Sequence, residues 1–417
     1  MVTNLHFNFK DVFRAGRLGF SAKKMWISFL GLIIGGIGYT ILSYIAFLTA
    51  GIDIGEVWSS YRLMPFLVPE ISFPWYSWVL WIAGIIWWVC VFLITGVAVS
   101  KVTYEQLKGD EFYEIKEAFK FALKNGKSAI LAPFVLIVFI ASLIVMGIIL
   151  ALITWIPYFG QLFFTLMAIP AFFVCIFILY LAIVTLVALA IGPAIVGTTG
   201  NDTFDTLFES FSVINDQPWR FITYEFLLKL VMILGIIILG FFAAKAIYLC
   251  YAVIGIIVPG EKLSNLFTNA AYYVKIVIPD FYPEALKNFI TGYLDWIGMS
   301  NLLFPPEYAP AYESWAGAIS SFVLGIIYYL IIAGVLSLGC AIYWAGNTLI
   351  FTVLVKKKDD KNLLEIKEEV FEEKVEEKKE EKVEEKPEEK DEDKKAKKRK
   401  KEEETAEKPQ TEEEKKG

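Results

Sequence analysis

No charged residue stands between Lys127 and Asp202, an apolar stretch far too long for one helix. A helix crosses the roughly 30 Å of bilayer hydrocarbon with about 20 residues, so this stretch holds two spans and a turn. The turn falls at Trp155-Ile-Pro-Tyr-Phe-Gly160, giving spans at Ser128–Thr154 and Leu162–Gly192. Pro170 and Pro193 are expected to kink or end the second of them. Upstream, Met25–Ala50 and Trp75–Ser100 qualify as spans, the latter opened by Trp75, Trp78 and Trp81, which suit a headgroup-level aromatic belt. Met25–Ala50 is too long for the apolar region of a cleaved signal peptide and reads as a retained span. A fifth span starts near Phe221, and the sixth lies within the uncharged Trp315–Val355. That last stretch exceeds one untilted helix, so its first turns project beyond the membrane or it folds back as a hairpin.

Charge is distributed to match. Only 38 of the first 355 positions are charged, against 46 of the 62 that follow. Ordinary soluble domains carry about 25% charge, so residues 1–355 read as a polytopic membrane domain and 356–417 as a separate tail. That tail, built on KVEEKKEEKVEEKPEEK, cannot bury a core and is expected to be disordered or a fluctuating single helix. Its basic cluster Lys394–Lys401 could touch anionic lipid or RNA, but the acidic blocks on both sides favour a solvated tail, with no nucleic-acid partner expected.

Lys and Arg accumulate on the cytoplasmic side of membrane proteins. Lys10, Arg14, Arg17, Lys23 and Lys24 precede the first span, and Lys101, Lys108, Lys116, Lys120, Lys124 and Lys127 lie between the second and third. The opposite side offers Arg62 and a long loop containing Lys262, Lys275 and Lys287. Six spans with a cytoplasmic N-terminus put Lys356–Lys358 inside as well, whereas a hairpin in the last stretch would put them outside. The expectation is a multi-pass protein of the cytoplasmic membrane with both termini cytoplasmic.

An amphipathic segment precedes each odd-numbered span. Phe9, Val12, Phe13 and Gly16 form the first set, Ile115, Ala118, Phe119 and Ala122 the second, and Phe204, Leu207, Phe208 and Phe211 the third. Their i, i+3, i+4, i+7 spacing places each set on one helical face. Each segment breaks at polar residues before its span, at Ser21–Lys24, Asn125–Lys127 and Asn215–Gln217. Two readings are open: a helix lying in the inner interface with its apolar face in lipid, or a cytosolic helix packed on its neighbours. Either gives a unit of one amphipathic helix plus two spans, present three times (about 5–100, 101–200 and 201–355). The expected fold class is therefore an all-α integral membrane protein, a six-span helical bundle built from three such repeats.

The passage from Ile191 to Phe221, IGPAIVGTTGNDTFDTLFESFSVINDQPWRF, shows a span ending in Pro and aliphatics, a polar turn, an amphipathic helix with a Ser, then Trp-Arg opening the next span. In Pro193, Ile195, Val196, Leu207, Ser210, Trp219 and Arg220 it resembles the membrane domain found with some glycerophosphodiester phosphodiesterases, and related polytopic families without assigned function. The resemblance implies a fold and no reaction, since the His and acidic clusters of the phosphodiesterase domain are absent.

The inventory excludes several chemistries. His6 is the only histidine, so a His-based metal site, a Ser-His-Asp triad and a Cys-His pair lack their residues. Cys90, Cys175, Cys250 and Cys340 are far apart and form no CxxC. No catalytic, cofactor-binding or metal-binding residue is assigned, and no cofactor is expected. The functional suspects are the intramembrane ionisable groups, all on the fifth span: Glu225 and Lys229, spaced i, i+4 in the favourable order, and Lys245 near the outer end. They read as a self-neutralised pair with a snorkelling lysine, or as the polar lining of a path. Asn347 in the sixth span reads as helix–helix glue. In the long loop, Leu286, Phe289, Ile290, Tyr293 and Ile297 share one face of a helix begun by Pro283, expected to lie on the outer leaflet or cap the bundle. The partners expected are the lipid bilayer, with anionic lipid or other membrane subunits in addition. The function expected first is a non-enzymatic scaffold or accessory subunit. The second is a transporter or channel for a lipid-like or small apolar substrate.

Overall fold

A computed structural model describes residues 5–65, 73–274, 283–298 and 314–365. It divides into a compact unit reaching Leu363 and a second unit, 364–417, which falls almost wholly outside the described residues, as does the expected disordered or helical tail. The first unit is all-α, with no strand among the described residues. Its helices are α1 (Phe9–Val12), α2 (Arg14–Gly19), α3 (Ala22–Thr49), α4 (Ile54–Tyr61), α5 (Trp75–Lys108), α6 (Ile115–Asn125) and α7 (Lys127–Leu152). After a short 3₁₀ turn follow α8 (Phe159–Thr199), α9 (Thr203–Asp216), α10 (Pro218–Gly255), α11 (Gly260–Tyr273), α12 (Glu284–Ile297) and α13 (Trp315–Asp359). Six of them, α3, α5, α7 with its 3₁₀ extension, α8, α10 and α13, are long and apolar enough to cross a membrane.

The structure decides two points about the spans. Pro170 and Pro193 neither end nor divide α8, which runs on to Thr199 and stops where Gly200 adopts φ +66°. A left-handed residue after the last turn is the usual helix stop, and glycine takes it without a Cβ penalty. The last apolar stretch is one helix of 45 residues and not a hairpin.

The spans pair as α3 with α5, α7 with α8, and α10 with α13, and the second members α5, α8 and α13 also touch one another. They do so at the end of the bundle that carries α1 and the close of α13, here called the termini end. The residues buried in that junction run from Leu93 to Leu107 in α5, Leu181 to Thr198 in α8 and Ser337 to Val355 in α13. Trp344, fully buried, is its largest side chain. The Trp344 ring lies 4.8 Å from that of Phe92, and a Cβ on Gly96 would come within 2.7 Å of it. At Gly197 a Cβ would meet Ser100 Cβ at 2.6 Å. Apolar burial drives helix association weakly in lipid, so close approach through small residues is what holds such helices together.

The other end behaves differently. From Ile137 on α7 to Tyr180 on α8, Gly160 is the one buried residue. These halves form an arm that exposes apolar side chains around its circumference.

Overpacking should discriminate junction from arm. Gly96→Val should destabilise the bundle by about 1–3 kcal/mol, the usual cost of forcing extra methyl groups into a filled core. Gly147→Val, where a Cβ meets nothing within 4 Å, should leave thermal unfolding in detergent unchanged. Equal melting of the two variants would contradict the packing described.

Candidate functional site

Glu225 and Lys229 lie one turn apart on α10, about 10 Å from its first residue by helical rise for the former. Glu225 is buried at 7% exposure while the Lys229 side chain is 59% exposed. Lys229 Nζ approaches Glu225 Oε2 at 4.0 Å, the outer limit of an ion pair, and Glu225 Oε1 has no hydrogen-bond partner. On α13 two further buried atoms lack partners, Asn347 Oδ1 and Trp344 Nε1. Asn347 Nδ2 donates to the Tyr343 carbonyl oxygen at 3.2 Å, a bond within its own helix, so this bond is not the helix–helix glue the sequence suggested. The pair is thus asymmetric: a buried, half-satisfied carboxylate with its cation turned outward.

Lys245 does not join this site. It lies 20 residues further along α10, about 30 Å away by helical rise, exposed, with Nζ 5.4 Å from the Phe241 ring centroid. The geometry separates a polar spot at the termini end from a surface lysine near the loop end.

The amphipathic faces divide as well. In α6 the set Ile115, Ala118, Phe119 and Ala122 packs against the buried cluster on α5. In α9, Leu207 and Phe211 pack against α7 and α8, while Phe204 and Phe208 are exposed. The buried side of α9 includes Thr206, Ser210 and Val213. The first segment breaks at Phe13 into α1 and α2: Val12 is buried, Gly16 faces Val231 of α10, and Phe9 and Phe13 are exposed. Within the 191–221 passage, Pro193, Ile195 and Val196 are buried in α8 and Ser210 in α9, Trp219 is exposed, and Arg220 donates to Gln217 Oε1.

Outside the spans, burial raises the pKa of Glu209 on α9, with the Lys358 charge opposing it. Nearby, Lys358 Nζ sits 3.7 Å from Asp216, joining α9 to the close of α13.

Three features escaped the sequence reading. Lys24, one of the basic residues before the first span, is fully buried and donates to Leu18 O at 2.9 Å and Gln106 Oε1 at 2.7 Å. Arg62, expected as a loop charge, is buried. Its guanidinium stacks 3.7 Å over the Tyr272 ring and donates to the Tyr272 and Trp58 carbonyls. The third is a pair of apolar clefts beside α10. One of about 470 Å³ lies between α10, α12 and α13, and another of about 420 Å³ between α2, α10 and α13. Neither is lined by Glu225 or Lys229. The i, i+3, i+4 face of α12 was legible, but where it docks was not.

No family model matches the chain, and no curated protein or solved structure matches it.

A carboxylate buried with one oxygen unpaired costs stability. Replacing a poorly paired buried charge with an apolar side chain of similar size is often neutral or stabilising by about 1–4 kcal/mol. Glu225→Leu should therefore leave thermal unfolding in detergent unchanged or raise its midpoint. A lowered midpoint would mean that Glu225 has a stabilising partner beyond Lys229.

Proposed function

We propose that the protein is a non-enzymatic scaffold or accessory subunit of the cytoplasmic membrane, six spans deep, with both termini in the cytoplasm. The observation that carries this reading is the contrast within α7 and α8. Their termini-end halves are locked into the packed junction, and the rest extends as an arm with apolar side chains on every side. A rigid base with a projecting apolar arm suits lateral contact with lipid and with other membrane subunits. Exposed Phe9, Phe13, Phe204 and Phe208 at the termini end suit an interfacial position, with Lys and Arg beside them for anionic lipid. The three-repeat organisation and the kinship to the phosphodiesterase-associated membrane domain belong to the same proposal. Its support is that a short helix or helix pair precedes each of α3, α7 and α10.

The second reading, a transporter or channel for a lipid-like or small apolar substrate, draws its support from the apolar clefts. Co-purification from native membranes separates the two. A scaffold should retain defined partner subunits in nanodiscs and lose them when arm residues such as Ile148 and Phe172 become serine. Recovery of the chain alone, with the same complement before and after those changes, would remove the scaffold reading.

Orientation follows from cysteine labelling in a cysteine-free background. A membrane-impermeant maleimide applied to cells should modify Lys287→Cys and spare Lys108→Cys and Lys361→Cys. Arg62 is a poor reporter because it is buried. Labelling of Lys361→Cys from outside would reverse the assignment of the C-terminus.

Spin labels address the amphipathic helices. A label at position 208 should be accessible to oxygen dissolved in lipid, whereas one at position 119 should be shielded from both oxygen and a water-soluble relaxant. Access of the aqueous relaxant at 208, without oxygen, would place that face in water.

A further inference from the structure

We propose that the cleft between α10, α12 and α13 binds the hydrocarbon chain of a membrane lipid entering from one leaflet. The inference rests on the membrane-embedded reading and goes beyond it by naming a ligand class and a site. Its walls are apolar, exemplified by Ile233 and Ile247 on α10, Phe289 and Ile290 on α12, and Ile332 and Val335 on α13. Among the described lining residues, the one side-chain polar atom belongs to Tyr293, and its hydroxyl already donates to the Ile237 carbonyl at 2.7 Å. A ligand group needing hydrogen bonds would find few there, whereas methylene groups would lose nothing by entering.

Size selects among apolar occupants. The lining runs along α10 from Ile233 to Ile247, about 21 Å by helical rise. One leaflet is roughly 15 Å of hydrocarbon and about 20–22 Å with its headgroup region, so the cleft matches the depth of one leaflet. The cleft provides about 470 Å³, within the range of small-ligand sites. A single chain fits.

The position of α12 gives the chain a direction of entry. Trp296 stacks on Phe241 at 5.3 Å, and Leu294 and Ile297 pack on Ala244, so the apolar face of α12 forms one wall. Asn288 and Asp295, on its other side, are exposed. An apolar face toward the slot and a polar face turned away from it suit a helix lying at the leaflet surface.

The test uses the full chain in vesicles of phosphatidylethanolamine and phosphatidylglycerol, doped with phosphatidylcholine bearing a diazirine in one acyl chain. After irradiation, adducts are mapped by peptide mass spectrometry. Per residue, the stretches 233–247 and 286–297 should carry more adduct than the 137–180 arm, which meets only bulk lipid. Ala243→Trp, which fills the slot, should lower cleft adducts at least about fivefold, equivalent to about 1 kcal/mol of lost occupancy, with arm labelling retained. Ala243→Leu should give a smaller drop, which keeps the test usable if the tryptophan variant unfolds. Equal labelling of cleft and arm, cleft labelling indifferent to both variants, or crosslinks from the cleft to a second polypeptide would each overturn the proposal. Failure of the membrane reading would look different: arm and cleft would both stay unlabelled, and alkaline carbonate would release the chain from the vesicles.

Discussion

The close packing of α13 against α5, α8 and α10 over Ser337–Val355 is the contact on which the remaining structure depends. In water, the burial of so many apolar side chains would hold helices together at about 25 cal/mol per Å². In lipid that term largely vanishes, since an acyl chain is as good a neighbour as a leucine. What remains is dispersion at short range, which falls steeply with any gap. Hence the importance of glycine at each crossing: Gly96 beneath Trp344, Gly197 against Ser100, and Gly346 against Leu228. A larger residue at any of these positions would separate two helices along their length and not only at one point.

Polar residues within this junction follow the same constraint. Thr103, Thr185, Thr348 and Thr352 are buried, and each hydroxyl donates to the carbonyl four residues earlier on its own helix. This satisfies the group without demanding a partner across the interface, so threonine serves there as a small packing residue. Glu225 and Asn347 break the pattern, each with a buried oxygen left unpaired. Ser100 Oγ and Trp344 Nε1 are left unpaired too, and such buried groups mark a cost that packing alone does not explain. That makes them more informative than Lys245, which meets solvent or headgroups and costs little.

How much was legible in the sequence depends on the kind of signal. The six spans were, because hydropathy over 20 or more residues integrates away local detail, and loop charge weighed against a hairpin in the last stretch. The amphipathic sets left two orientations open, and α6 turns its four residues toward the bundle, mostly onto α5. The α9 set is split, because α9 sits against both α7 and α8. Two contacts pull the buried side toward Thr206, Ser210 and Val213 and leave Phe204 and Phe208 outside. Arg62 and Lys24 were read as free charges because sequence shows no partner for either. Their partners are backbone carbonyls, which carry no residue signature, and, for Lys24, the side chain of Gln106, 82 residues away.

The third helix pair differs from the others in length, and the difference accounts for its cleft. α10 and α13 have 38 and 45 residues, about 57 and 67 Å by helical rise, against roughly 30 Å of hydrocarbon. Where they cross, small residues bring them close: a Cβ on Gly339 would lie 2.5 Å from Ile236 Cδ1, and one on Gly235 would lie 2.6 Å from Ile342 Cδ1. Beyond the crossing, Gly240 faces the Tyr293 hydroxyl of α12, with α13 reached only at Val335 Cγ1, 3.7 Å from a Cβ placed there. Two straight rods held tightly at one point at an angle must diverge away from it. α12 enters on one side of that divergence through Tyr293 and Trp296, while α11 covers α13 further along, its Tyr273 against Gly325 and its Ala270 beside Tyr328. The side chains of α12 wall the opening without filling it. The cleft is thus a consequence of a small-residue crossing in helices longer than the membrane they enter.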